Sequence, residues 1–188
     1  MDQLEDVWLQ QYRNGQVDGL QRLVEHYRQP LFAFIFRMTE GRDDADDIFQ
    51  EVWFRVMKHH DKYTKNSFKS WLFRITRNLI IDRARKRRPM VDLEREDERV
   101  FETRLADPSL TPSSTVQGHD LGQRIRAAVA QLPDLQREVY LMRMEAHLSF
   151  KEIAVAQEVS INTALGRMHY AIGKLREALH DDYLEITS

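Results

Sequence analysis

Apolar side chains recur at the helical period along most of this 188-residue chain, and no stretch alternates cleanly over the length of a strand. Leu20, Leu23, Val24 and Tyr27 step i, i+3, i+4, i+7, and Leu31, Phe34, Ile35 and Met38 repeat the step. Ala45, Ile48, Phe49, Val52, Val56 and Met57 follow the same spacing, as do Phe68, Trp71, Leu72, Ile75 and Leu79. A helix patterned this way must bury one side, so four such segments predict a compact helical domain. Pro30 has no N–H and crowds the preceding turn, which predicts a restart or kink between the first two segments. Only 7 glycines and 5 prolines are present, too few for a turn-rich sandwich or barrel.

Residues 89–117 read differently. They are acidic, carry Pro89, Pro108 and Pro112, and include a Thr-Pro-Ser-Ser-Thr run, which predicts a linker without regular structure. Helical spacing resumes with Ile125, Ala128, Val129 and Leu132, stops at Pro133, and continues with Leu135, Val139 and Met142. Ser149-Phe150-Lys151-Glu152 is a capping-box pattern that opens a short helix over about 150–156. Ser160 then caps a longer one over about 161–179, through Leu165, Met168, Ile172, Leu175 and Leu179. A short helix, a tight turn and a longer helix is helix-turn-helix spacing. The expected fold class is all-α, two small helical domains joined by an acidic linker. The boundaries are 1–88, 89–120 for the linker, and 121–188 for the helix-turn-helix domain.

The formal net charge of -2 conceals blocks of opposite sign. Residues 74–88 hold seven basic side chains (Arg74, Arg77, Arg83, Arg85, Lys86, Arg87 and Arg88) against Asp82. Residues 40–51 hold six acids against Arg42, and residues 89–120 hold eight against three bases. A collected basic block can bind a polyanion although the whole chain is nearly neutral, and phosphate neutralisation makes such binding fall steeply with salt. Asp44, Asp47 and Glu51 share a helical face by i, i+3 and i, i+4 steps. That face suits a basic protein surface, or a divalent cation in a metal-dependent nuclease. Tyr63, Phe68 and Trp71, with His59 and His60, suit stacking on unpaired bases, although Phe68 and Trp71 also fit a core. A stand-alone helix-turn-helix regulator is a further reading of the C-terminal unit.

Several classes are excluded. With no cysteine there is no disulfide framework, thiolate metal site or cysteine nucleophile, as befits a reducing cytoplasm. The longest apolar stretch spans residues 31–36, short of a membrane helix, and the start Met-Asp-Gln-Leu-Glu-Asp predicts no secretory signal. Neither His-Glu-x-x-His nor a glycine-rich phosphate loop occurs, and no cofactor is expected.

Three motifs in order resemble the extracytoplasmic-function group of bacterial RNA polymerase sigma factors. Asp44-Ala45-Asp46-Asp47-Ile48-Phe49-Gln50-Glu51-Val52-Trp53 resembles the family's helix for docking on the polymerase clamp. Phe68-x-x-Trp71-Leu72-x-x-Ile75-x-x-Asn78, then Asp82-x-x-Arg85, resembles the helix that engages the minus-ten element. Leu132-Pro133-x-x-Gln136-Arg137-Glu138-Val139 with Ser149-Phe150-Lys151-Glu152-Ile153-Ala154 resembles the start of the minus-thirty-five domain.

The resemblance implies a promoter-specificity subunit without catalysis of its own. It binds core polymerase, then duplex and melted promoter DNA, and is often held by an anti-sigma factor. Implied polymerase contacts are Asp44, Asp47, Ile48, Gln50, Glu51 and Trp53. Implied minus-ten contacts are Lys62, Tyr63 and Lys65 in a loop that takes a flipped base, with Arg74, Arg77, Asn78, Asp82, Arg85, Lys86 and Arg88. Implied minus-thirty-five contacts are Ser149, Lys151, Asn162, Thr163, Gly166, Arg167, His169, Tyr170 and Lys174. Two departures stand out. Glu158 occupies a turn position usually held by glycine, and Leu165, Gly166 and Tyr170 replace charge and hydroxyl groups of many relatives.

Overall fold

The computed structural model describes residues 2–41, 44–63, 67–87 and 117–180, all in helices and their connections, without a strand among them. The N-terminal half is α1 (Asp2–Arg13), α2 (Val17–Met38), α3 (Ala45–His59), a 3₁₀ turn (His60–Lys62) and α4 (Phe68–Arg87). The C-terminal half is α5 (Gln117–Ala130), α6 (Asp134–Met144), α7 (Phe150–Gln157) and α8 (Ile161–Ala178). Helix α5 begins at Gln117, inside the span assigned to the linker, and residues 88–116 lie outside the described residues. Among the described residues no helix is long and apolar enough to cross a membrane.

Helix α2 corrects half of one expectation, the restart at Pro30. Pro30 neither breaks nor restarts it; one helix runs from Val17 to Met38. Leu23, Tyr27, Leu31, Phe34 and Ile35 keep the same phase across the proline, and all are buried. Five large side chains on one core outweigh the roughly 3 kcal/mol that an interior proline costs. Helix α1 was not legible as a helix. Its apolar Leu4 and Val7 face solvent, while the buried positions are Leu9 and Glu5, whose carboxylate accepts from the Tyr27 hydroxyl. Helices α1 and α2 cross closely at Gly19, where a Cβ would stand 2.2 Å from the Trp8 carbonyl oxygen, so only glycine fits. The core is completed by Ile48, Val52 and Val56 of α3 and by Phe68, Leu72 and Phe73 of α4.

In the C-terminal half, α7 and α8 form the expected helix-turn-helix. The Ser149 hydroxyl accepts from the Glu152 amide at 3.3 Å while Glu152 accepts from the Ser149 amide at 2.7 Å, so the capping box is complete. Ser160 caps α8 by accepting from the Thr163 amide at 3.0 Å. Ala154, Ala156, Ala164 and Ala171 are buried where small side chains let helices approach closely.

Glu158 ends α7 at φ 57° and ψ 44°, the left-handed conformation that disfavours side chains. Its exposed carboxylate lies 3.8 Å from Arg74, a contact of small value in water. Glu158→Gly is therefore expected to stabilise the chain by roughly 0.5–1 kcal/mol, after allowing for glycine's entropy. Urea unfolding of both proteins checks this; an equal or lower midpoint contradicts it.

Candidate functional site

The acidic face begins where α3 begins. Asp46 and Asp47 lie in its first turn, favourably placed near the positive end of the helix dipole, and both are exposed. Gln50 is exposed one turn on, and Glu51 pairs with Arg55 at 3.0 Å. Three residues assigned to this face point elsewhere. Asp44 is buried at the N-cap, 3.9 Å from Arg83 of α4. Ile48 and Trp53 are buried because the stripe that packs α3 on the core passes through them. They support the face instead of forming it.

Exposed aromatics join the carboxylates. Phe54 is 56% exposed on α3 and Phe36 is 48% exposed on α2. Phe36 stacks with Phe32 at 6.3 Å, Phe32 meets Phe49 at 6.1 Å, and Phe49 meets Trp53 at 6.3 Å. The row links an apolar surface to the interior. Sequence reading missed Phe36 and Phe54, although Phe54 falls opposite the buried stripe of α3 and was visible there. Among the described residues no group of three His, Asp or Glu side chains is placed to hold a metal ion.

The basic block divides along α4. Arg85 and Lys86 are exposed near its C-terminal end, with Asn78 and Asp82 also on the surface. Arg83 faces Asp44, as above, while Arg74 and Arg77 point at the C-terminal half. Lys62 is exposed, but Tyr63 is buried: its hydroxyl donates to Asp6 at 3.1 Å, and Arg13 lies 5.9 Å from its ring centre. Trp71 packs beside it at 5.5 Å and Phe68 is wholly interior, so the aromatics of this corner build the core. Lys65 and Arg88 lie outside the described residues.

The two halves meet along α4 and α7. Ser67 donates to Glu152 at 2.9 Å, and the Lys69 ammonium donates to the His147 carbonyl at 3.3 Å. Arg37 pairs with Glu145 at 3.1 Å and Arg137 with Glu40 at 3.5 Å. The centre is Glu138 of α6, 3% exposed, which accepts from Arg77 at 2.8 Å and from Gln157 at 2.9 Å. Gln157 in turn accepts from Arg167 of α8 at 2.9 Å. A buried carboxylate is costly unless charge-paired and hydrogen-bonded, and this one is both.

Burial pushes the Arg167 guanidinium below its ordinary pKa, Glu138 opposes that, and Arg77 adds to it. For Glu152, burial pushes upward, but the hydrogen bonds from Ser149 and Ser67 and the charge of Lys69 together hold it below the usual carboxylate range. Glu138 and Gln157 were missed from sequence. Glu138 interrupts the stripe Leu135, Val139, Met142 at the i+3 position, a carboxylate on an apolar side, and that was the available signal.

The outer side of the helix-turn-helix carries Lys151 on α7 and Asn162, Leu165, His169, Tyr170 and Lys174 on α8, all exposed. Gly166 sits among them with open space where a side chain would be. Ser149 and Thr163 also reach the surface, with their hydroxyls engaged in the two caps. Arg167 alone of the assigned set turns inward, toward Gln157.

Residues 23–89 match the family described as Sigma-70 region 2, and residues 122–175 match that described as Sigma-70, region 4. The ECF RNA polymerase sigma factor SigW of Bacillus subtilis (strain 168) is 28% identical over 178 residues, covering 92% of this chain and 95% of SigW. EcfG of Rhodopseudomonas palustris (strain TIE-1), also an ECF RNA polymerase sigma factor, is 30% identical over 156 residues, covering 82% of each chain. Among solved structures, CnrH in complex with the cytosolic domain of CnrY superposes with a TM-score of 0.70 at 21% identity, covering 95% of this chain and 99% of CnrH. Sigma factor RpoE, in complex with the anti-sigma factor NepR from Bartonella quintana, gives 0.60 at 24% identity, covering 80% and 89%. These two share its fold.

Proposed function

Because the chain belongs to the ECF RNA polymerase sigma factors, and is thus a promoter-specificity subunit that binds core polymerase and promoter DNA, we propose a division of labour among its surfaces. Asp47, Gln50 and Glu51, flanked by Phe54 and Phe36, form the polymerase-docking face. Arg85, Lys86 and Asn78 hold DNA near the minus-ten element, and the outer side of α7 and α8 reads the minus-thirty-five element. The chain makes and breaks no covalent bond in this reading; the chemistry of RNA synthesis is the polymerase's.

The observation that supports it most is the segregation of exposed charge. Exposed Asp46, Asp47 and Phe54 lie on α3, exposed Arg85 and Lys86 at the C-terminal end of α4, and exposed Lys151 and Lys174 on the helix-turn-helix. Arg77 is engaged by Glu138 when the halves are closed, so its use on DNA requires them to separate. By likeness to RpoE, which is held by NepR, we assign this chain an anti-sigma partner that covers the same surfaces.

Arg85→Ala with Lys86→Ala tests the DNA assignment. Removing two phosphate contacts is expected to flatten the dependence of log affinity on log salt by roughly 2, across unrelated promoter sequences. Measured slopes that coincide with the parent's would remove both residues from the interface.

A further inference from the structure

We propose that Leu165 and Tyr170 read the minus-thirty-five element by apolar contact with thymine methyl groups, so that the element this chain prefers is rich in T·A pairs. The inference rests on α8 being the promoter-reading helix of the preceding section.

A recognition helix presents its N-terminal residues to base edges in the major groove. On α8 those residues are unusual in kind. Leu165 is 43% exposed and Tyr170 is 65% exposed, and Asn162 stands one turn before Leu165 on the same side. Neither large side chain completes the core; the interior of α8 is supplied by Ala164, Met168, Ala171 and Leu175. Between them Gly166 leaves the backbone uncovered, with nothing beyond its own helix backbone and chain neighbours within 4 Å of where a Cβ would be, so a groove wall can approach closely.

Guanine is best read by a long cation that reaches O6 and N7 together. The one arginine in this half of the helix, Arg167, is committed to Gln157 at 2.9 Å and turned from the outer side. What remains matches A·T pairs. The apolar groups suit the C5-methyl of thymine, and the Asn162 amide has the two-pronged geometry of the adenine N6/N7 edge. The exposed ammonium groups of Lys151 and Lys174 supply phosphate contacts that set register without reading sequence.

Burying one methyl against a side chain is worth roughly fourfold in binding. The test uses holoenzyme reconstituted from core polymerase and the full chain. Duplexes with a randomised upstream window are selected for binding, and each thymine of the selected element is then replaced singly by deoxyuridine, which lacks only the methyl. The expected element is T·A-rich, with roughly fourfold weaker binding for at least two such replacements.

In Leu165→Ala, one of those replacements is expected to cost nothing further. Both positions are exposed, so the variant folds, which circular dichroism verifies. A guanine-rich element opposite α8, or binding indifferent to deoxyuridine, overturns this inference while the holoenzyme still selects promoters. Failure to select any element overturns both the inference and the function beneath it.

Discussion

Asp47→Arg is expected to weaken core-polymerase binding by about two orders of magnitude. Asp47 is exposed in the first turn of α3, on the same helical side as Gln50, Glu51 and Phe54. Reversing a charge against a complementary surface costs about 2–4 kcal/mol, and each 1.4 kcal/mol is roughly tenfold. The same change costs the fold less than about 1 kcal/mol, the value of an acid near a helix N-terminus. Docking loss therefore exceeds stability loss, and the two separate experimentally: a titration of core polymerase falls while the thermal transition barely moves. Phe54→Ala, which removes exposed apolar area and no charge, is expected to act in the same direction. Unchanged affinity in both variants would move the docking face elsewhere.

Breaking the Arg77–Glu138 pair is expected to open the molecule. Glu138 is 3% exposed and Arg77 15%, so removing one partner leaves the other charge buried, at a cost of about 3–5 kcal/mol. Separation of the halves lets the remaining charge regain water. Of the surviving cross-links, Arg74 with Glu158 at 3.8 Å and Arg137 with Glu40 at 3.5 Å involve exposed carboxylates, and Arg37 with Glu145 at 3.1 Å and Ser67 with Glu152 at 2.9 Å are less buried than the Arg77–Glu138 pair.

The chain has no native cysteine, so cysteines placed at exposed Gln29 and Glu177 can be labelled cleanly and the distance between them measured. Both Glu138→Ala and Arg77→Met should lengthen and broaden that distance. Because the second leaves the C-terminal half untouched, a change common to both reports the interface and not local unfolding. Distances equal to the parent's in both variants contradict the role given to the pair.

What the sequence disclosed was local. Ser149 with Glu152 and Ser160 with Thr163 are contacts across three residues, so the helix-turn-helix and its caps could be placed almost to the residue. Glu158 was marked only by the resemblance, as standing where relatives have glycine; its left-handed backbone is what the structure adds. The failures are non-local or depend on phase. Helix α1 packs through Leu9 and Glu5 while its more conspicuous Leu4 and Val7 face water, so its pattern misleads.

Ile48 and Trp53 sit inside a motif that the family resemblance assigns to docking, yet the packing stripe of α3 takes them inward. The restart expected at Pro30 was overruled by the core that spans it. The Arg77–Glu138 pair joins residues 61 apart in the chain, and only the packing of α4 on the C-terminal half brings them together. Nothing in the spacing of either residue indicates the other.

The most direct measurement is promoter-dependent transcription by core polymerase with and without the purified full-length chain, on a library of templates. Discrete start sites that appear only when the chain is added, and that fade with Asp47→Arg, are the result this account predicts. Start sites unaltered by the chain, or altered equally by the Asp47→Arg protein, would contradict it.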